Sequence, residues 1–223
     1  MPPDWLARRR RLDSVLRLQA SVLLGDPARD EAIPLLADAL SDPDDEVREQ
    51  AAAALSEFGP EARAAVPALM AAIHDESVVV RRRAIRALGG MGESAEDAIP
   101  ALIAATEDAN SSVALQALAS LSDLAPLTAS ALPAFLTALW TGDVRFRAVA
   151  GVALVRLGSA AVPSLLQTLL YPAPEVRAKA AHILGKIGPA AVDAKPLLEK
   201  MLQEKDEAPR TAATEALRLI DGR

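Results

Sequence analysis

A unit of 33 residues recurs along this chain, and two independent landmarks mark it. Proline follows an Ala-apolar or similar pair in AIPLL (Pro34), AVPAL (Pro67), AIPAL (Pro100), ALPAF (Pro133), AVPSL (Pro163) and AKPLL (Pro196), at intervals of 33, 33, 33, 30 and 33. The segments VREQAAAAL, VRRRAIRAL, VALQALASL, FRAVAGVAL, VRAKAAHIL and PRTAATEAL begin at Val47, Val80, Val113, Phe146, Val176 and Pro209, and repeat the same series of intervals. A period of this length means a stack of small supersecondary units, none of which buries its apolar face alone. The short interval is localised. Gly158 precedes its proline by five residues, whereas Gly59, Gly92 and Gly188 precede theirs by eight. The deletion therefore falls in the loop or first turn after Gly158, where it does least harm.

Each unit reads as two helices. The first has apolar residues at helical spacing, such as Val66, Leu69, Met70 and Ile73, with its proline in or near the first turn. The second follows a turn in which Asp44, Ser77, Asn110, Asp143 and Asp206 stand as N-caps or near-caps. It carries a small-residue column, Ala51 and Ala54 recurring as Ala84 and Ala87, that admits close helix approach. Glycine usually ends it, at Gly59, Gly92, Gly158 and Gly188. Half of the chain is apolar and only 3% is aromatic, which favours closely packed helices over a β-sandwich.

The stretch LSEFGPEARAAVPALMAAIHDESVVVRRRAIRALGGMG resembles HEAT repeats, in particular the alanine-rich subtype named after phycobilisome lyases. The resemblance covers roughly residues 31–223. It implies an all-α, right-handed α-solenoid, with second helices lining its concave face. The expected layout is one domain over 1–223, with a capping helix at 5–24 and six repeats at approximately 26–59, 60–92, 93–125, 126–158, 159–188 and 189–223. In similar repeats an arginine opening the second helix joins an acidic ladder between neighbours. Arg48, Arg81, Arg147, Arg177 and Arg210 fill that position, with Asp42 and Asp75 six residues before the first two. These residues are expected to be structural. The third repeat has Ala114 in place of the arginine.

Charge and residue types exclude much chemistry. A net charge of −6 argues against a whole-surface attraction to nucleic acid. No cysteine is present, so thiolate chemistry and disulfides are absent. The two histidines, His74 and His182, lie far apart in repeat register without the His-Glu pairs of the iron-binding helical-repeat hydroxylases, so no metal site and no cofactor are expected. GGMG at Gly89–Gly92 reads as a helix stop, and no phosphate-cradling loop is found. No apolar run is read as long enough for a membrane span, and the chain is expected in the cytoplasm. Trp140, Asp143 and Arg147 are the sharpest rival signal, since some HEAT-like DNA glycosylases use aromatic, Asp and Arg side chains.

The expected function is a non-catalytic scaffold for a protein or peptide. A phycobilin-lyase-like or glycosylase-like enzyme subunit is the alternative. The non-core positions of the second helices supply the expected binding face: Arg82, Arg83 and Arg86, then Leu115 and Gln116, then Val149 and Val152, then Lys179, His182 and Lys186. Charged flanks around an apolar centre suit an acidic amphipathic partner better than a nucleic acid.

Overall fold

The computed structural model describes residues 4–23, 29–125 and 127–222. Leu24, the expected end of the capping helix, lies outside them, as do Asp26, Pro126 and Arg223 at the expected repeat limits. Thirteen α-helices and no strand occur among the described residues. The chain divides into two compact units, Met1–Leu127 and Thr128–Arg223, and the division falls at the start of the fourth repeat.

The first unit opens with α1 (Asp4–Leu23). Three helix pairs follow: α2 (Arg29–Ala39) with α3 (Asp45–Phe58), α4 (Val66–Ala72) with α5 (Val78–Gly89), and α6 (Ile99–Ala105) with α7 (Ser111–Asp123). The second helices α3, α5 and α7 pack in sequence, and α1 packs against α3 from the other side. The second unit has α8 (Leu132–Thr141) with α9 (Val144–Leu157), α10 (Val162–Thr168) with α11 (Pro174–Ile187), and α12 (Lys195–Met201) with α13 (Glu207–Ile220). Here α9, α11 and α13 pack in sequence.

The prolines explain the short first helices. Pro67, Pro100, Pro133, Pro163 and Pro196 each sit second in their helix, where a missing N–H leaves no intrahelical bond unmade. Pro34 differs, lying inside α2. A 3-10 segment feeds each first helix from α4 on. It is seven residues long at Gly59–Ala65, Gly92–Ala98 and Gly188–Ala194, but four at Gly158–Ala161. The three-residue difference between repeats is located there.

Gly59, Gly158 and Gly188 cap their helices with φ of 54°, 58° and 75° and ψ between −127° and −143°. A Cβ makes that combination costly, so glycine is required there. Gly92 was expected to end α5, but α5 stops at Gly89 and Gly92 opens the following segment. Asp44, Asn110 and Asp143 accept hydrogen bonds from backbone N–H groups of the helices they precede. Ser77 and Asp206 occupy the cap position without such a bond. The Asp75 carboxylate takes the Ser77 N–H instead, at 2.8 Å.

One expectation needs correction. Val144–Thr168, 25 residues with mean hydropathy 1.7 in its best window, is long and apolar enough to cross a membrane by length and composition. In the fold it is not one straight rod, because Gly158 and the 3-10 turn divide it into α9 and α10. Its apolar residues Ala150, Ala153, Leu154, Leu157 and Leu165 are buried in the protein core.

Candidate ligand groove

The arginine that opens every second helix except α7 sets the frame of the site. Arg48 donates from Nη1 to the Asp42 carbonyl at 2.8 Å, and from Nε and Nη2 to the Asp75 carboxylate at 2.7 and 2.9 Å. Arg81 repeats this with the Asp75 carbonyl at 2.9 Å and the Asp108 carboxylate at 2.9 and 3.1 Å. Arg177 gives Nη1 to the Tyr171 and Pro172 carbonyls and its other edge to the Glu204 carboxylate. One guanidinium edge thus holds its own turn and the other holds the acid 27 residues on, in the next repeat. The bidentate fit is specific to the planar guanidinium. In α1, Arg11 Nε lies 2.9 Å from the Asp42 carboxylate as an ion pair, without the hydrogen-bond geometry of the series.

These pairs are close enough to shift proton affinity. Burial pushes the Asp75 carboxyl up, but the bonds from Arg48 and the Ser77 N–H outweigh it and hold it below the ordinary value. The Arg81 guanidinium likewise holds the Asp108 carboxyl down. Asp75 and Glu204 raise the proton affinity of Arg48 and Arg177 by hydrogen bonding to them.

The series breaks at Arg147. Its Nη1 donates to the Gly142 carbonyl at 2.6 Å. Because the next repeat is three residues shorter, the position its other edge would reach is Tyr171, not an acid. Among the described residues no carboxylate pairs with Arg147.

A second change occurs in the same place. Where α5 meets α7, Gly89 lies on Ser120, and a Cβ at Gly89 would stand 2.9 Å from the Ser120 Cα. The Ser120 hydroxyl uses that closeness to donate to the Ile85 carbonyl at 2.9 Å. Where α11 meets α13, Gly185 lies on Ala216, with a Cβ placed 2.7 Å from the Ala216 Cα. Counting along the repeat, the equivalent pair on α9 and α11 is Val155 and Ile183. Two branched side chains thus stand where a glycine and a small residue stand at the α5–α7 and α11–α13 contacts. They keep α9 and α11 from meeting closely, and these two helices touch along less of their length than α11 and α13.

The space left between them is a groove of about 490 Å³. Leu139, Val152, Val155 and Ile183 make its apolar surface, with Ala148 and Gly151 giving it depth. Arg147, Arg156, Lys179 and Lys186 bring positive charge to its rim, His182 adds an imidazole, and none of its lining residues is acidic. Val144 and Val152 are 70% and 51% exposed, which marks an apolar surface left without a cover.

The expected binding residues divide between the two units. Val152, Lys179, His182 and Lys186 come together in the groove. Val149 is half-buried on α9 and does not line it. Arg82, Arg83, Arg86, Leu115 and Gln116 belong to the first unit. There Arg83 pairs with Glu49 at 3.2 Å and, with Arg86, Gln50 and Glu57, lines a polar cavity of about 140 Å³. Gln116 donates to the Ser120 hydroxyl at 3.4 Å. Arg210 gives Nη1 to the Glu204 and Lys205 carbonyls. Of the Trp140, Asp143 and Arg147 group, the two charged residues are engaged locally. Asp143 caps α9 and pairs with Arg145 at 2.9 Å; Arg147 holds the turn. Among the described residues no three His, Asp or Glu side chains converge as a metal ion would require. Sequence reading missed Arg147 as a groove residue, along with Val155 and Ile183. The signal was the loss of the acid at position 171 and of the small pair at 155 and 183.

A repeat of paired helices, stacked by small residues and stitched by an arginine at the start of all but one of the second helices, defines a helical-repeat protein. The family model for HEAT repeats matches residues 2–78, 66–155 and 132–218, and the chain belongs to that family. Its fold is similar to those of two engineered proteins seen in crystal structures. One is 22% identical with a TM-score of 0.54, over 85% of this chain and 96% of that one. The other is 23% identical with a TM-score of 0.56, over 93% and 68%. An archaeal HEAT-like repeats protein from Thermococcus onnurineus NA1 is 16% identical with a TM-score of 0.52, over 93% and 97%. No curated protein matches the chain in sequence. These likenesses support the all-α solenoid fold and leave the phycobilisome-lyase subtype as a resemblance.

Proposed function

We propose that this protein is a non-catalytic binding scaffold whose groove between α9 and α11 takes an acidic amphipathic helix of a protein partner. The observation that carries this reading is the groove's own make-up: an apolar lining with Val152 half exposed, joined by Arg147, Lys179 and Lys186, with no acidic lining residue. A helix laid in a groove presents apolar anchors at i, i+3, i+4 and i+7 and leaves charge on its flanks. Acidic flanks complement this rim, and complementary charge favours both encounter and register. A nucleic acid would want continuous positive charge and stacking rings, and the groove has no ring other than His182.

The test is binding of a fluorescent acidic amphipathic peptide of about 18 residues, long enough to hold a helix once bound. Val152 is half exposed, so Val152→Asp should fold normally and lose peptide binding through an unfavourable charge in the groove. Undiminished binding by folded Val152→Asp protein would overturn the reading.

A further inference from the structure

We infer that Arg147 is the carboxylate receptor of this groove, and that an Asp or Glu side chain of the bound helix supplies the ladder carboxylate that Tyr171 replaces here. The inference rests on the reading of the groove as a helix-binding site and names the contact that sets its specificity.

The argument starts from what Arg48, Arg81 and Arg177 do with their side chains. Each bonds its own turn through Nη1, and that bond fixes the guanidinium plane. Each then offers the Nε–Nη2 edge to one carboxylate, in two parallel hydrogen bonds. Arg147 makes the first bond, to the Gly142 carbonyl at 2.6 Å. That carbonyl lies five residues back, where the other ladder arginines use the one six residues back, and the residue in the partner position is Tyr171. Arg147 lines the groove. A guanidinium tethered to its own turn through one nitrogen, beside an apolar lining, loses less freedom when a carboxylate arrives than an untethered side chain would. Glu204 shows that a glutamate reaches such an arginine as well as the aspartates do. The ligand chemistry follows: a carboxylate on one flank of a helix whose apolar residues lie against Val152 and Ile183.

Arg210 supplies an internal contrast. It holds its turn carbonyls in the same manner, and it has no place in the groove. A generic attraction between cations and an acidic peptide would treat the two arginines alike.

The experiment uses the full chain and the acidic amphipathic peptide, read by fluorescence anisotropy, with laurate as a second probe. Arg147→Lys keeps the charge and removes the fork, and should weaken the peptide by about tenfold or more, the scale of a charge-assisted hydrogen bond. Arg210→Lys should leave binding unchanged. Tyr171→Glu places the missing acid inside the protein; it should raise the melting temperature and weaken the peptide by about tenfold by occupying Arg147, while Tyr171→Gln does neither. Arg147→Lys binding the peptide as the wild type does, or Tyr171→Glu altering neither melting nor binding, would overturn the assignment and leave the groove reading standing. A wild-type protein that ignores the peptide would overturn both. Laurate binding in place of the peptide would replace the helix partner with a small amphiphile and overturn the proposal as stated.

Discussion

Arg81 uses its guanidinium fully, on the carbonyls of Asp75 and Glu76 and on the carboxylate of Asp108. Removing it leaves a half-buried carboxylate and two turn carbonyls without their donor. Arg81→Ala should lower stability by about 1–3 kcal/mol, as for a lost charge-assisted hydrogen bond, read from the urea midpoint. An unchanged midpoint would mean that the ladder is ornamental. The pH dependence follows from the same contacts. Asp75 and Asp108 have folded-state proton affinities below the ordinary value of 3.8. Their stabilisation is therefore present above that value and is lost as the pH falls through the lowered one. Asp75→Asn should remove part of the loss of stability on acidification below about pH 4, measured as melting temperature against pH. An acid limb of equal steepness in the variant would contradict it.

At the scale of the helix pair, residue size decides how close two neighbours come. The α11–α13 contact depends on Gly185, whose absent side chain leaves room for the Ala216 backbone. Gly185→Ala must push two helices apart and should cost about 1–3 kcal/mol, the range for overpacking a close contact. Gly151 in α9 has nothing within 4 Å of its would-be Cβ. Gly151→Ala should stabilise the protein by about 0.5–1 kcal/mol through helix propensity and the unfolded chain. Opposite signs in thermal melts would show that α11–α13 is closed and α9–α11 open; equal signs would not. The helices themselves were legible from sequence because proline, the apolar period and the small-residue column recur at a fixed interval. The groove was half legible. Val152, Lys179, His182 and Lys186 stood out as non-core positions of second helices. Arg147 did not, because its position reads as ladder in every other repeat that has it. Its changed role depends on a residue missing from the following repeat, and Val155 and Ile183 look like ordinary core residues until paired across helices.

For the whole chain, the repeat sets where stability is expected to run low. The third repeat lacks the ladder arginine, with Ala114 in its place, and α7 is the last second helix of the first unit. In a linear array each unit is held by its neighbours, so amide exchange should be fastest among second helices near residues 108–128. Uniform protection across repeats 2 to 5 would count against this. The repeat builds the molecule, and the groove lies at the α9–α11 junction, where the ladder acid and the small pair are both replaced. That claim is tested most directly by methyl-resolved NMR of the full chain during titration with the acidic amphipathic peptide. The account predicts saturable shifts concentrated at the methyl groups of Val144, Val152, Val155 and Ile183, with those of Ile85 and Leu115 in the first unit unmoved. Shifts that gather in the first unit, and leave Val152 and Ile183 untouched, would contradict it.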